Sequence, residues 1–221
     1  GADPLTSKVA LIAPSEREGV DIDYTFGYVG IAKAEVDYEG NCGNISAGAG
    51  LFAILSGLVE MQEPMTTLRI FNTNTKKLIE ASVEVKGGTA ITVGNYAMAG
   101  VPGTGAPIEL NFPNSAGSKT GKLLPTGNVS DEIILEDGSV VEVSMVDAAN
   151  PAVFVKASDI GFVGTELPGS AESEAIVRKL NDIRTSGAVL MGLAKSKEEV
   201  GDAVPKVAMV GGPKDYVMAG G

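Results

Sequence analysis

The order of apolar and polar positions changes character several times along the chain. "KVALIAP" (8–14) is a short apolar run. "DIDYTFGYVGI" (21–31) sets Ile22, Tyr24, Phe26 and Tyr28 against Asp, Thr and Gly, the period of two expected of a strand with one buried face. From about Asn44 to Val59 the period becomes helical. Ile45, Ala49, Phe52, Leu55 and Val59 fall three or four apart, and Ala47, Leu51 and Leu58 occupy the remaining faces. A helix apolar all round predicts one enclosed by the fold, here ending ahead of Pro64. Residues 66–74, 77–85, 90–97 and 107–113 read as further strands. In the second of these, Ile79, Ala81, Val83 and Val85 alternate with Glu80, Ser82 and Glu84. The Gly-, Pro- and Ser-rich stretch 99–128 supplies turns. Beyond it lie a hairpin turn at Asp137–Gly138 between two strands, an amphipathic helix over roughly 171–193, and a last strand over 205–213. Ser170 is the expected N-cap of that helix, with Glu172 and Glu174 in its first turn and Ile176, Leu180 and Ile183 as its buried stripe. Strands wrapped around one apolar helix define an α+β class. The change of motif near 132–138 predicts a first domain over 1–134, built on a central helix at about 43–60, and a second over 135–221.

Composition narrows the chemistry. The chain has 221 residues, 44% of them apolar, enough to bury a sizeable core. Seventeen basic against 28 acidic residues give a formal charge of −11, which excludes a nucleic-acid partner because that would need a basic stripe. Residues 41–59 carry no charge and approach the length of a membrane span, but two Asn, two Ser, four Gly and a Cys make the segment too polar for one. One cysteine allows no intrachain disulfide and suits a reducing cytoplasm. With no histidine and one cysteine, the usual metal sites lack their ligands, and any general acid or base is an Asp, Glu, Lys, Tyr or Cys.

Two phosphate-loop look-alikes fail on detail. "GAGLFA" (48–53) has the glycine spacing of a dinucleotide fingerprint, but it lies inside the apolar helix rather than at a strand-to-helix turn. "GSKTGK" (117–122) is one residue short, and Leu123 stands where Ser or Thr is required. The lone Cys42 is different. In "YEGNCGNISAGAG" (38–50) it immediately precedes the helix, where unpaired N–H groups and the helix dipole favour a thiolate and where the amides of Gly43 and Asn44 offer an anion site. A small cysteine packed at a helix start is the plainer alternative. Lys8 enters an apolar strand, where it is either a solvated flank or a cation with a movable proton. Asn150, ahead of Pro151, is held extended, with a side-chain amide that can donate and accept; a simple turn asparagine has the same pattern.

Taken in order, "GADPLTSKVALIAPS", "VDYEGNCGNISAGAGLFAI", "TLRIFNTNTKKLIEA", "GVPGTGAPIEL", "TGKLLPTGN" and "VDAANPAVFVKASDIGFVGTELPG" resemble the PrpF-type isomerase family. That family includes 2-methylaconitate cis–trans isomerases, 3-methylitaconate Δ-isomerases and 4-oxalomesaconate tautomerases. The resemblance is strongest to the methylitaconate isomerases, through "GADPLTSK" and "VDYEGNCGNISAG". It implies a diaminopimelate-epimerase-like fold, with two pseudo-symmetric domains, each an antiparallel sheet around a central helix. It also implies cofactor-independent proton transfer on a small unsaturated di- or tricarboxylate, with Cys42 and Lys8 as the catalytic pair. Ser7, Gly43, Asn44 and Asn150 would be substrate contacts, with no metal and no cofactor. A cytoplasmic enzyme with no nucleic-acid or membrane partner, compatible with a homodimer, fits this reading. Ala152 stands where the related epimerases carry a histidine, which weighs against an amino-acid epimerase. Family members extend beyond this chain in both directions, so the first domain reads as lacking its N-terminal part and the second as incomplete. An inactive binding protein of the same fold is the rival from another class.

Overall fold

The computed structural model describes residues 3, 5–98, 101–166 and 174–215. They form two compact units, the first reaching to Asn114 and the second running Ser115–Lys214.

The first unit contains β1 (Lys8–Pro14), β2 (Ile22–Val29), β3 (Val36–Asp37), α1 (Gly43–Leu55), β4 (Met65–Asn72), β5 (Lys77–Lys86), β6 (Thr89–Ala90) and β7 (Ile108–Asn111). The strand order is β1-β2-β4-β5-β6, with β3 paired to β2 and β7 to β5. The sheet is mixed rather than wholly antiparallel, because β2 and β4 run parallel. Parallel neighbours need a long crossover, and the connection that carries α1 supplies it. The period-two pattern sets the register. Ile22 lies beside Ile70, which lies beside Ile79, so one buried row runs across three strands. The strand expected at 90–97 is short, since pairing stops at Ala90.

The helix lays Ser46, Ala49, Gly50, Ala53 and Ile54 on this sheet. Gly50 is required there: a Cβ at that position would stand 2.9 Å from the Ala81 Cβ. The opposite face is not enclosed, contrary to the all-round apolar pattern, for Phe52 and Leu55 remain 52% and 55% exposed. A single sheet covers one side of a helix and no more. The helix also ends sooner than expected. Gly57, at φ +68°, donates to the Ile54 carbonyl at 3.1 Å, and Leu58 donates to Ala53 at 2.9 Å. That left-handed glycine closes the last turn well before Pro64.

The second unit contains β8 (Asp131–Ile134), β9 (Val140–Ala148), β10 (Asn150–Lys156), α2 (Glu174–Leu190) and β11 (Lys206–Val210), in the sheet order β11-β10-β9-β8. The expected hairpin turn is present, with Gly138 at φ +81°. α2 buries Ile183 and Ala188, while the expected stripe residues Ile176 and Leu180 are half-buried. The Ser170 cap and Glu172 lie outside the described residues. Asp182 fastens the helix by accepting from the Glu136 amide at 2.7 Å and from Lys197.

The division at Asn114/Ser115 falls upstream of the boundary read from the sequence at 134/135. β8 pairs with β9, and the loop before it is bonded to the end of β9, so residues 115–134 belong with the second sheet. Among the described residues no helix is long and apolar enough to cross a membrane.

Candidate active site

Lys8 opens β1, opposite Tyr28 on β2. Ser7, just ahead of it, is buried and its carbonyl accepts from the Val29 amide at 2.9 Å, so the strand pairing continues backwards and fixes where the lysine leaves the sheet. The Lys8 side chain reaches across to α1, where Nζ donates to Cys42 Sγ at 3.7 Å in a part-buried setting. Two residues 34 positions apart in sequence thus meet head to head.

Cys42 is the N-cap of α1, in extended conformation at φ −129° and ψ 109°, and its side chain does not cap the helix. A thiol is a poor substitute for the Ser, Asp or Asn that satisfies first-turn amides, so this helix start keeps its positive end open. Gly43 and Asn44 are exposed, and a Cβ at Gly43 would meet nothing within 4 Å. The bendable backbone around Cys42 therefore leaves the first-turn amides accessible to an anion.

The sequence patterns did not single out the polar support beneath this helix start. Ser46 is buried and donates its hydroxyl to the Cys42 carbonyl at 2.8 Å. Asn72, fully buried at the end of β4, donates to Asn41 Oδ1 at 2.9 Å, and its own Oδ1 accepts from the amide and hydroxyl of Thr75 at 2.8 and 3.0 Å. Asn74 binds the backbone of Phe26 on both sides and the Tyr38 carbonyl, tying β2 to the segment that leads into Cys42. The run "FNTNT" (71–75) was the available signal, a polar cluster following an apolar strand. Tyr24 also lies here, and burial pushes its phenol up to about 12, with the nearby Ser46 acting against that and Cys42 adding to it. Further along the helix, β1 and α1 border an apolar cleft of about 500 Å³, lined by Leu11, Ile12, Ile45, Ala49 and Phe52 among others.

Asn150 belongs to the second unit. It opens β10, directly after Ala149, whose φ of +68° makes the sharp turn out of β9. That turn is held by the buried Asp147. Its carboxylate accepts from the Ser118 hydroxyl at 2.9 Å, the amides of Lys119 and Thr120 at 2.8 and 2.7 Å, and the Thr120 hydroxyl at 2.9 Å. The Ser118 hydroxyl also lies 2.7 Å from the Ala149 carbonyl. The structure thus brings Lys8, Ser7, Cys42, Gly43 and Asn44 together in one unit and sets Asn150 on a braced turn in the other.

A mixed sheet receiving an apolar helix by a parallel crossover, with an ammonium facing a thiol at the helix start, defines an α+β protein, the class that the resemblance implies. The chain belongs to the PrpF family, whose model, described as "PrpF protein", matches residues 1–221. It is 48% identical over 98% of its length to 3-methylitaconate isomerase of Eubacterium barkeri. It is 38% identical over 97% of its length to 4-oxalomesaconate tautomerase of Pseudomonas putida, and 35% identical over 100% to 2-methyl-aconitate isomerase of Shewanella oneidensis. In each case it spans 58% of the relative. The crystal structure of a methylitaconate-delta-isomerase is similar at a TM-score of 0.79 and 48% identity, over 98% of this chain and 57% of that one.

Proposed function

We propose that the protein is an isomerase that moves a proton, and with it a double bond, in a small unsaturated di- or tricarboxylate of the methylitaconate, 2-methylaconitate or oxalomesaconate type. The observation that carries this reading is the 3.7 Å contact between Lys8 Nζ and Cys42 Sγ at an uncapped helix start. One member of the pair removes a proton from the carbon between a carboxylate and the double bond. The electron pair spreads through the conjugated system as a dienolate, and the other member returns a proton at the far carbon. One proton leaves and one arrives, so the step balances with no electron carrier. The Gly43 and Asn44 amides receive the carboxylate on which charge builds, and the helix dipole favours it there. Ser7 and Asn150 are further proposed substrate contacts, carried by the family resemblance. The formal charge of −11 repels an anionic substrate at long range, so Lys8 and the helix start supply the local attraction. A lone thiol without a disulfide partner fits action in the cytoplasm.

The test is hydrogen exchange. The protein is incubated with methylitaconate, 2-methylaconitate and oxalomesaconate in deuterated water, and label is followed by NMR. Deuterium should enter at least one substrate, and Cys42→Ser and Lys8→Ala should each slow its entry by about a hundredfold or more. Exchange unchanged in both variants would overturn the assignment of the pair. No exchange into any of the three would overturn the isomerase reading.

A further inference from the structure

The inner face of the first sheet is apolar along the row Ile22, Ile70, Ile79 and turns polar one row further on, where Tyr24 stands beside Asn72. This polar row lies under the start of α1. Nearly every group in it is already engaged. The Asn72 amide is bonded to Asn41 and its carbonyl to Thr75, and the Ser46 hydroxyl gives its proton to the Cys42 carbonyl. Tyr24 is the exception. It is fully buried, and its hydroxyl is the one buried side-chain polar atom without a hydrogen-bond partner among the described residues. Cys42 packs against the core cluster that contains Tyr24; Ser46 favours a phenolate there, and charge on Cys42 opposes one. An unpaired buried hydroxyl costs stability, and one beside a reactive group calls for a partner that the resting arrangement does not supply.

We propose that Tyr24 is a positioning residue for Cys42, its hydroxyl held in reserve to donate to the sulfur once the thiol has lost its proton. A neutral thiol is a weak acceptor and a thiolate a strong one, so the bond forms only in the charged state. With its own titration pushed up to about 12, the phenol keeps the proton it must donate throughout the neutral range. The inference deepens the reading of Lys8 and Cys42 as the proton-transfer pair, yet it is read out on the thiol itself, without substrate.

The experiment follows the ultraviolet absorbance of the Cys42 thiolate against pH in the protein and in Tyr24→Phe. Among the described residues the Lys8 ammonium from β1 meets the sulfur, and the Tyr24 phenol from β2 belongs to the core cluster that Cys42 packs against, beside the first-turn amides of α1; the variant changes only the phenol. The thiolate profile should move up by about one pH unit, the effect of losing one hydrogen bond to a charged acceptor. Thermal stability should hold or rise, because the variant removes an unpaired hydroxyl from a packed core. Fluorotyrosine at position 24 makes the hydroxyl a stronger donor at nearly constant shape, and it should move the profile the opposite way. A profile that neither change moves overturns the proposal, whatever the melting temperature does. A profile that moves in a protein with no isotope exchange would sink the isomerase reading and leave Tyr24 as a partner of the thiol.

Discussion

Asp147 explains at the scale of one residue why "GSKTGK" is not a phosphate loop. The amides that would cradle a phosphate end on a carboxylate of the chain itself, at 2.8 and 2.7 Å. Asp147→Asn keeps the shape but turns one oxygen into a donor facing donors. It should lower stability by about 1–3 kcal/mol, measured as a fall in denaturation midpoint, with faster amide exchange at residues 117–120. Cys42 and Lys8 were legible in the sequence because each breaks its surroundings, a thiol before an apolar helix and a cation entering an apolar strand. Tyr24, Asn72 and Asp147 were not. Tyr24 reads as one more apolar member of an alternating strand, and its unpaired hydroxyl appears only once Asn72 and Ser46 are seen bonded to Asn41 and the Cys42 carbonyl.

The same contrast holds for α1 as an element. Its glycines look equivalent in "GAGLFA", but a Cβ at Gly48 would meet nothing within 4 Å, whereas one at Gly50 would meet the Ala81 Cβ at 2.9 Å and a Leu68 methyl at 3.3 Å. Substitutions two residues apart should therefore have opposite signs. Gly48→Ala should stabilise by about 0.5–1 kcal/mol through helix propensity, and Gly50→Val should destabilise by about 1–3 kcal/mol by overpacking, both read from urea midpoints. Helical periodicity identified this element, and it could not say which faces would be covered. That depends on how many layers lie against the helix. One sheet leaves Phe52 and Leu55 half exposed.

At the scale of the whole molecule, each unit has its own sheet and its own buried core. In the second, Asp182 couples α2 to the β8–β9 turn. Burial pushes its carboxyl up, but Lys197, the Glu136 amide and Ser186 outweigh that and hold it below the ordinary carboxylate value. A group whose proton is released more easily in the folded state adds stability above its unfolded value, near 3.9, and loses it as pH falls through the lower folded one. Stability should therefore drop on acidification below about pH 4, and Asp182→Asn should flatten that part of the curve while lowering the plateau at neutral pH, as followed by circular dichroism in urea. The sequence by itself determined most of the strands, the presence of both helices, the α+β class, the family and the two residues of the candidate proton-transfer pair, because periodicity and local chemistry are written in neighbouring positions. Only the tertiary structure decided that Lys8 meets Cys42 at 3.7 Å, that residues 115–134 join the second sheet, and that among the described residues the Tyr24 hydroxyl is the buried side-chain polar atom left without a hydrogen-bond partner. Each of these depends on strand register and on which donors are already engaged, and those are set by contacts between segments far apart in the chain.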